Sequence, residues 1–289
     1  MIPTDSNRHP LILIVLLVIL LRLIHFNSIH DIALIEIPLH AYWTDMHAYW
    51  MWSGEILAGD WLGRETFHPV MPWMEDLASA ETWGRWWGDE RIFQQEPVYP
   101  YALAIGRLAG LSLTLLILTQ LLIGALQSLA TFYLAKTLFD DEKVAIFSAL
   151  IAGIYGPLFF NQGLILRDWL APLLGSVLLL ASLKAANSNQ PRTWLWPGIL
   201  LGMTLMAQSS IMLFLPLLGI WLAWEKRHEL NALIRSSAFG IGGILLGFSP
   251  LMLRNLLVGI SPFSISNRDR KSTRLNSSHS QQSRMPSSA

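Results

Sequence analysis

Long apolar runs constrain the fold of this chain more than any other feature. Residues 10–26 are nearly all leucine, isoleucine and valine, with Arg22 as their one Arg, Lys, Asp or Glu residue, and residues 111–139 are dominated by leucine, isoleucine and alanine. The hydrocarbon core of a bilayer requires about 20 apolar residues per helix. Because lipid cannot hydrogen-bond a backbone, such runs predict membrane-spanning helices.

We therefore predict an all-α polytopic membrane protein. The chain is 53% hydrophobic and only 14% charged, whereas about 25% of residues are charged in an average soluble domain. Residues 208–210 alone separate the fifth predicted span from the sixth. The first run lacks a small-residue cleavage site and more spans follow, so we expect a retained signal anchor. Seven spans are predicted, near residues 10–26, 111–138, 144–160, 168–186, 194–208, 209–224 and 236–259.

The distribution of Lys and Arg predicts the orientation of these spans. Cytoplasmic loops carry an excess of positive charge, and alternate loops of this chain do so. The residues concerned are Arg8, Lys136, Lys143, Lys184, Arg192, Lys226, Arg227 and Arg235. The long loop after the first span, the short 160–167 connection and the stretch after residue 259 should then share the outer face.

The last residues do not fit the membrane domain. Residues 267–289 are polar and serine-rich, without apolar periodicity. Such a composition is typical of a disordered tail, and the string also resembles translated sequencing-adapter read-through. We therefore expect a membrane domain over residues 1–266, a non-native or disordered tail over 267–289, and a natural protein that continues further.

The long first outer loop concentrates the acidic and aromatic residues. Residues 27–98 hold 12 Asp and Glu against 3 Arg, and 8 of the 13 Trp. Tryptophan favours the membrane–water interface, which predicts interfacial helices in this loop. A membrane protein that collects carboxylates and aromatics in one extramembrane segment is expected to carry its chemistry there, and we take 27–110 as the catalytic loop.

One helix of the loop can be placed from its ends. Thr44 is a suitable N-cap, residues 45–58 have helical composition, and Gly59 predicts the end. Asp45, Tyr49 and Trp52 then share one face. Asp45 lies in the first turn, where the helix dipole favours a carboxylate. Spacing alone leaves open whether Asp45 reacts or only caps a surface helix.

The loop returns to the membrane through a proline- and tyrosine-rich segment. Pro97 and Pro100 each disfavour helix in the preceding residue, which predicts an extended approach. Tyr99 and Tyr101 would then lie at the interface with their hydroxyls in water.

These motifs together resemble a known family. The order Asp45-x3-Tyr49, Gly59-Asp60-Trp61-Leu62, Phe67, then Glu96-Pro97-Val98-Tyr99-Pro100-Tyr101 is similar to the first outer loop of the GT-C membrane glycosyltransferases. The nearest group is glycosyltransferase family 39-like, related to protein O-mannosyltransferases and lipid A aminoarabinose transferases. The resemblance covers roughly residues 8–266.

The resemblance implies a reaction and a catalytic carboxylate. A sugar would pass from a polyprenyl-phosphate donor to a lipid, glycan or protein acceptor on the outer face, with inversion. Asp45 would be the general base, which must lie within hydrogen-bond reach of the acceptor hydroxyl. Asp168, in the second outer loop, is the second catalytic candidate, although its neighbour Arg167 could simply pair with it. The protein would lie in a bacterial plasma (inner) membrane with a periplasmic active site.

Further residues are expected to bind substrate. Arginine makes bidentate contacts with phosphate, although Arg167 and Arg254 could instead snorkel to the interface. Gln208 stands where relatives often have a basic residue. The predicted substrate-binding set is Tyr49, His68, Glu96, Tyr99, Tyr101, Arg167, Gln208 and Arg254.

Composition argues against several kinds of partner and cofactor. The net charge is zero and there is no cysteine, which gives nucleic-acid binding no electrostatic support and removes thiolate zinc sites. The loop histidines lack the i, i+4 spacing of helical metal sites. We expect no structural metal, while the resemblance leaves a catalytic divalent cation open. No glycine-rich phosphate loop is present, which argues against nucleotide-sugar donors.

Two other functions fit the sequence less well. A transporter or flippase for lipid-linked saccharides would also place acids and aromatics near an outer loop. Transporters, however, keep ionisable residues and broken helices near the midplane and often contain repeats. A purely structural membrane subunit would not require the face shared by Asp45 and Tyr49.

Overall fold

The computed structural model describes residues 5–31, 33–41, 44–64, 79 and 91–266. Every regular element in this part of the chain is helical, which confirms the predicted all-α fold. His68 and the 267–289 tail lie outside the described residues, as does Phe67 of the loop motif.

Eleven α-helices and two short 3-10 segments make up the described part of the chain. The 3-10 segments are Pro191–Trp194 and Ser209–Leu213. The α-helices are α1 (Asp5–Ile29), α2 (Ala33–His40), α3 (Asp45–Ala58), α4 (Val98–Leu108), α5 (Leu113–Phe139), α6 (Glu142–Ile154), α7 (Gly156–Gln162), α8 (Leu170–Ala186), α9 (Leu195–Ala207), α10 (Phe214–Glu225) and α11 (Leu230–Leu257).

Three of these helices are long and apolar enough to cross a membrane. They are the Pro10–Ile29 part of α1, α5 and α11, and they coincide with the first, second and last predicted spans. A fourth span, predicted over 144–160, corresponds to α6 and α7, which meet at a bend of 52°. The protein is thus an integral membrane protein with helices that cross more than once.

The other three predicted spans coincide with shorter helices. The 17 residues of α8 and the 13 of α9 correspond to lengths of about 26 and 20 Å at 1.5 Å per residue, less than the about 30 Å of a hydrocarbon core. The break predicted at 208–210 is present, because Gln208 leaves the helical region and a 3-10 segment follows. That these helices cross the membrane stays a prediction.

Arg22 explains how the bend between α6 and α7 is held. Its side chain is 1% exposed, and its Nη1 donates to the carbonyl oxygens of Gly153 (3.0 Å) and Val18 (3.2 Å). Its Nε donates to Oε1 of Gln162 (3.1 Å). The last carbonyls of a helix have no partner within the helix and carry partial negative charge. The guanidinium therefore stabilises the end of α6 while contacting α7.

Helices α9 and α11 pack with their backbones in contact. Each contains the pentapeptide Gly-Ile-Leu-Leu-Gly, at 198–202 in α9 and at 243–247 in α11. A Cβ on Gly198 would lie 2.2 Å from the Gly240 carbonyl oxygen, and one on Gly243 would lie 2.3 Å from that of Leu195. Glycines four residues apart allow this close approach, which replaces the hydrophobic driving force that lipid removes.

Helix α4 corrects one prediction about the loop. The segment around Pro97 and Pro100 is not extended, because α4 begins directly after Pro97 and contains Pro100 in its first turn. The first N–H groups of a helix have no intrahelical partner, so proline costs no hydrogen bond there. The two prolines therefore favour the start of a helix rather than its absence.

The contact between α9 and α11 generates a stability prediction. We expect Gly243→Ala to destabilise the protein by about 1–3 kcal/mol, the usual cost of overpacking, because the new methyl meets backbone atoms. The adjacent Gly242→Ala is the control, since a Cβ there meets nothing within 4 Å. Thermal unfolding in detergent should show a lower midpoint for the first variant only. Equal midpoints would contradict the packing described.

Candidate active site

Helix α3 places the predicted catalytic carboxylate at its first position. The Thr44 side chain accepts a hydrogen bond from the His47 backbone N–H, and Gly59 ends the helix at φ 121°, which confirms the predicted bounds. Asp45 is exposed, whereas Tyr49 and Trp52 are 2% and 5% exposed. On this shared face, the aromatic rings of Tyr49 and Trp52 are packed in the protein, and the carboxylate of Asp45 is open to water.

A glutamine outside the predicted set contacts Asp45. Nε2 of Gln95 donates to Oδ1 of Asp45 at 3.1 Å, and the Tyr49 hydroxyl donates to Oε1 of the same glutamine. Gln95 lies 50 positions along the chain from Asp45. Its place directly before the Glu96-Pro97 motif was the one available signal for it.

Tyr99 is buried beneath this group, and its hydroxyl does not lie in water as predicted. The Tyr99 ring packs edge-on against Tyr49, with ring centroids 5.1 Å apart. Its hydroxyl donates to Oε1 of Gln120 at 2.8 Å, and Nε2 of Gln120 donates to the Gln162 carbonyl at 2.7 Å. The helical start at Pro97 turns Tyr99 toward α5 rather than toward the interface. Burial raises the pKa of Tyr99 well above its usual value, and the charges of nearby Tyr49 and Asp168 raise it further.

Two predicted substrate-binding residues form a buried ion pair with each other. Glu96 and Arg167 are 1% and 3% exposed, and Oε2 of the carboxylate contacts Nη1 of the guanidinium. The other carboxylate oxygen accepts from the Ser209 backbone N–H (3.0 Å) and hydroxyl (2.6 Å). Arg167 thus pairs with Glu96 in preference to Asp168. A direct role of either residue in substrate binding stays a prediction.

Asp168 and Gln208 lie near these groups at the ends of helices. Asp168 is exposed, two residues before α8 begins, and the next residue, Trp169, is buried in the apolar cluster that contains Tyr49 and Tyr99. The two candidate carboxylates therefore border one apolar cluster. Gln208 follows the last residue of α9, and its Nε2 donates to the Ser210 hydroxyl at 3.1 Å.

A cavity of about 310 Å³ lies between α4 and α11. Tyr101 and Arg254 are its polar residues. The Tyr101 hydroxyl donates to the Trp61 carbonyl at 2.5 Å. Burial raises the pKa of Tyr101 to about 12, despite the opposing effect of Arg254. The cavity is lined by Trp61, Leu62, Phe93, Pro97, Val98, Tyr101, Met206, Pro250, Leu251 and Arg254.

Arg254 fixes the loop that closes one side of the cavity. Its Nε and Nη2 donate to the carbonyls of Leu62 and Gly63, each at 2.6 Å, and its guanidinium lies 3.8 Å from the centre of the Phe93 ring. With the bond from Tyr101, three consecutive carbonyls of the loop accept side-chain hydrogen bonds. Gly63 has φ 55°, and a Cβ there would lie 2.6 Å from the Phe93 ring. Only glycine fits both the backbone conformation and the space.

The cavity and the carboxylates are separate features. Neither Asp45 nor Asp168 is among the residues that line this cavity. The described ranges contain no group of three or more His, Asp or Glu side chains that could hold a metal ion, and the predicted His68 lies outside them.

Comparison with known proteins relates the chain to one family. The family model described as "Dolichyl-phosphate-mannose-protein mannosyltransferase" matches residues 94–253, more than half of the chain. The match includes Gln95, the ion pair and Asp168, and it begins after Asp45. No curated protein and no solved structure matches the chain.

The buried ion pair generates a test by mutation. We expect Arg167→Leu to destabilise the protein by about 3–5 kcal/mol, because it leaves the Glu96 carboxylate buried without a cation. Adding Glu96→Gln to the same protein should restore part of the loss, since the amide carries no charge to desolvate. Thermal unfolding in detergent measures both. A double variant less stable than Arg167→Leu alone would argue against a charge-driven contact.

Proposed function

The chain belongs to the dolichyl-phosphate-mannose-protein mannosyltransferase family, and from this membership we propose how it acts. It is a membrane glycosyltransferase that uses a polyprenyl-phosphate sugar donor. Asp45 is the general base, and the sugar is transferred with inversion on the outer face of the membrane. The observation that carries the proposal is the family match, which spans α4 to α11 and favours a transferase over a transporter.

The setting of Asp45 supports its assignment as the base. The carboxylate is exposed and stands at the N-terminus of α3, while Gln95 holds one of its oxygens. Within the described residues no other side chain hydrogen-bonds this carboxylate, which leaves Oδ2 to accept a proton. A base must be fixed in place and still reach the acceptor; the bond from Gln95 supports the first condition and the exposure of Asp45 supports the second.

The proposed reaction is a single displacement at the anomeric carbon. The acceptor hydroxyl oxygen attacks that carbon as its proton passes to Asp45. The bond between the anomeric carbon and the phosphate oxygen breaks, and its electron pair leaves with the polyprenyl phosphate. Attack opposite the leaving group inverts the configuration. The proton then passes from Asp45 to water, and the carboxylate is restored.

The cavity beside α4 is suited to part of the lipid donor. Its wall is mostly apolar, which fits an isoprenoid chain, and Arg254 provides positive charge at one end. We assign the isoprenoid next to the phosphate to this cavity. Guanidinium groups recognise phosphate oxygens through paired N–H donors. The contacts of Arg254 with Leu62 and Gly63 hold its guanidinium in place beforehand.

The distribution of charge supports the proposed location. The predicted outer side carries Asp45 in the long acidic loop and Asp168 in the second outer loop, and the basic loops are predicted on the opposite side. We propose a bacterial plasma membrane with the active site on its periplasmic face. The acceptor is a hydroxyl-bearing lipid, glycan or protein. Asp168 would stabilise or orient the sugar from its position beside the shared apolar cluster.

Replacing the proposed base tests the mechanism. We expect Asp45→Asn to reduce transfer from polyprenyl-phosphate mannose by at least 100-fold, within the usual contribution of general base catalysis, with expression unchanged. Release of polyprenyl phosphate from radiolabelled donor in membranes measures it for any acceptor. Glu55→Gln, near the other end of α3, is the matched control and should retain turnover. Near-normal turnover of the Asn variant would rule out this role.

Filling the cavity tests the proposed donor site. We expect Val98→Phe, which adds bulk at the cavity wall, to raise the KM for the lipid donor with little change of turnover at saturation, because it removes only uniform binding. Ile105→Phe changes an exposed residue of the same helix, 59% exposed, and should leave the KM unchanged. An unaltered KM for both variants would place the donor elsewhere.

A further inference from the structure

We propose that Gln95 is a positioning residue for the catalytic carboxylate of Asp45, a role that rests on the proposed function. Its side chain joins Asp45 to Tyr49 through two hydrogen bonds, one from each end of its amide group. Neither the family match nor the predicted site residues give Gln95 a role. The contacts assign it one in catalysis without direct contact with the substrate.

The carboxylate of Asp45 determines which end of the amide faces it, because a carboxylate only accepts hydrogen bonds. The Tyr49 hydroxyl, which can donate or accept, then donates to Oε1 of Gln95. The amide oxygen can only accept and the amide nitrogen can only donate. The NH₂ group must therefore point at Oδ1 of Asp45, and it holds that oxygen in place. Reversing the amide would set oxygen against oxygen at Asp45.

Tyr49 can hold the amide in place because it is itself immobilised. The ring is 2% exposed and packs against Tyr99. Tyr99 is held by Gln120, which also donates to the carbonyls of Gln162 and Leu164. A chain of contacts thus runs from the membrane helices to the exposed carboxylate. Supporting residues of this kind hold a reacting group within the narrow range that catalysis requires.

The same contacts also allow a purely structural role, in which Gln95 ties the returning loop to α3. The two roles predict different kinetics. A structural tie would lower stability and affect donor binding together with turnover. A positioning residue lowers turnover at saturating donor while the KM stays the same, because it acts only once the acceptor hydroxyl loses its proton.

The test compares three variants that remove the contact in different ways. Gln95→Met keeps the length and loses both hydrogen bonds, Gln95→Glu keeps the acceptor for Tyr49 and loses the donor to Asp45, and Tyr49→Phe removes only the hydroxyl. Gln94→Met makes the same change one position earlier as a control. Release of polyprenyl phosphate from radiolabelled polyprenyl-phosphate mannose gives turnover and donor KM in membranes that contain the full chain.

We expect turnover to fall about 10- to 100-fold in both Gln95 variants, since a displacement of about 1 Å can cost 100-fold. Tyr49→Phe should fall less, and Gln94→Met should match the parent. Donor KM should change less than about twofold throughout. Combining Tyr49→Phe with Gln95→Met should give the rate of Gln95→Met alone, because residues in one network are not additive.

The possible failures can be told apart with Asp45→Asn in the same series. If that variant loses turnover while Gln95→Met and Gln95→Glu keep it, Gln95 does not position the base and the proposed function stands. If Asp45→Asn itself keeps turnover, both proposals are wrong. If a Gln95 variant loses turnover together with its thermal stability, whereas Tyr49→Phe keeps both, the contact is structural and the inference is overturned.

Discussion

The buried ion pair between Glu96 and Arg167 joins two segments that lie outside the helices and far apart in the sequence. Glu96 lies just before α4, Arg167 lies between α7 and α8, and Ser209 lies in the break after α9. Charges removed from water are expensive unless each is paired and hydrogen-bonded. This requirement allows few arrangements of the three segments. In the observed arrangement, α3, α4 and the start of α8 lie on the same side of the bundle.

A second set of contacts connects the helices to Asp45, the candidate base. Arg22 stabilises the end of α6 and holds Gln162, whose carbonyl accepts from Gln120. From there the contacts continue through Tyr99 and Tyr49 to Gln95 and Asp45. Polar groups in a membrane bundle are stable only when their partners are present. The same chain of partners therefore connects the helices to the exposed carboxylate of Asp45.

The local parts of this site could be predicted from sequence, and the long-range partners could not. The bounds of helix α3 could be predicted from Thr44 and Gly59, because capping residues act on their neighbours in the sequence. Pro97 and Pro100 were assigned to an extended segment, although proline just before a helix or in its first turn is compatible with helix. The Tyr99 hydroxyl was placed in water for the same reason. Gln95 lies 50 residues from Asp45, and no spacing rule reaches that far.

The sequence by itself determined that the protein is helical and embedded in a membrane, because a long apolar run has only one way to satisfy its backbone in lipid. It also determined where α3 begins and ends. Tertiary structure alone decided that Glu96 pairs with Arg167, that two Gly-Ile-Leu-Leu-Gly segments face each other, and that Gln95 bridges Tyr49 and Asp45. A partner is selected by which helices pack together, and that depends on the whole bundle rather than on any local pattern.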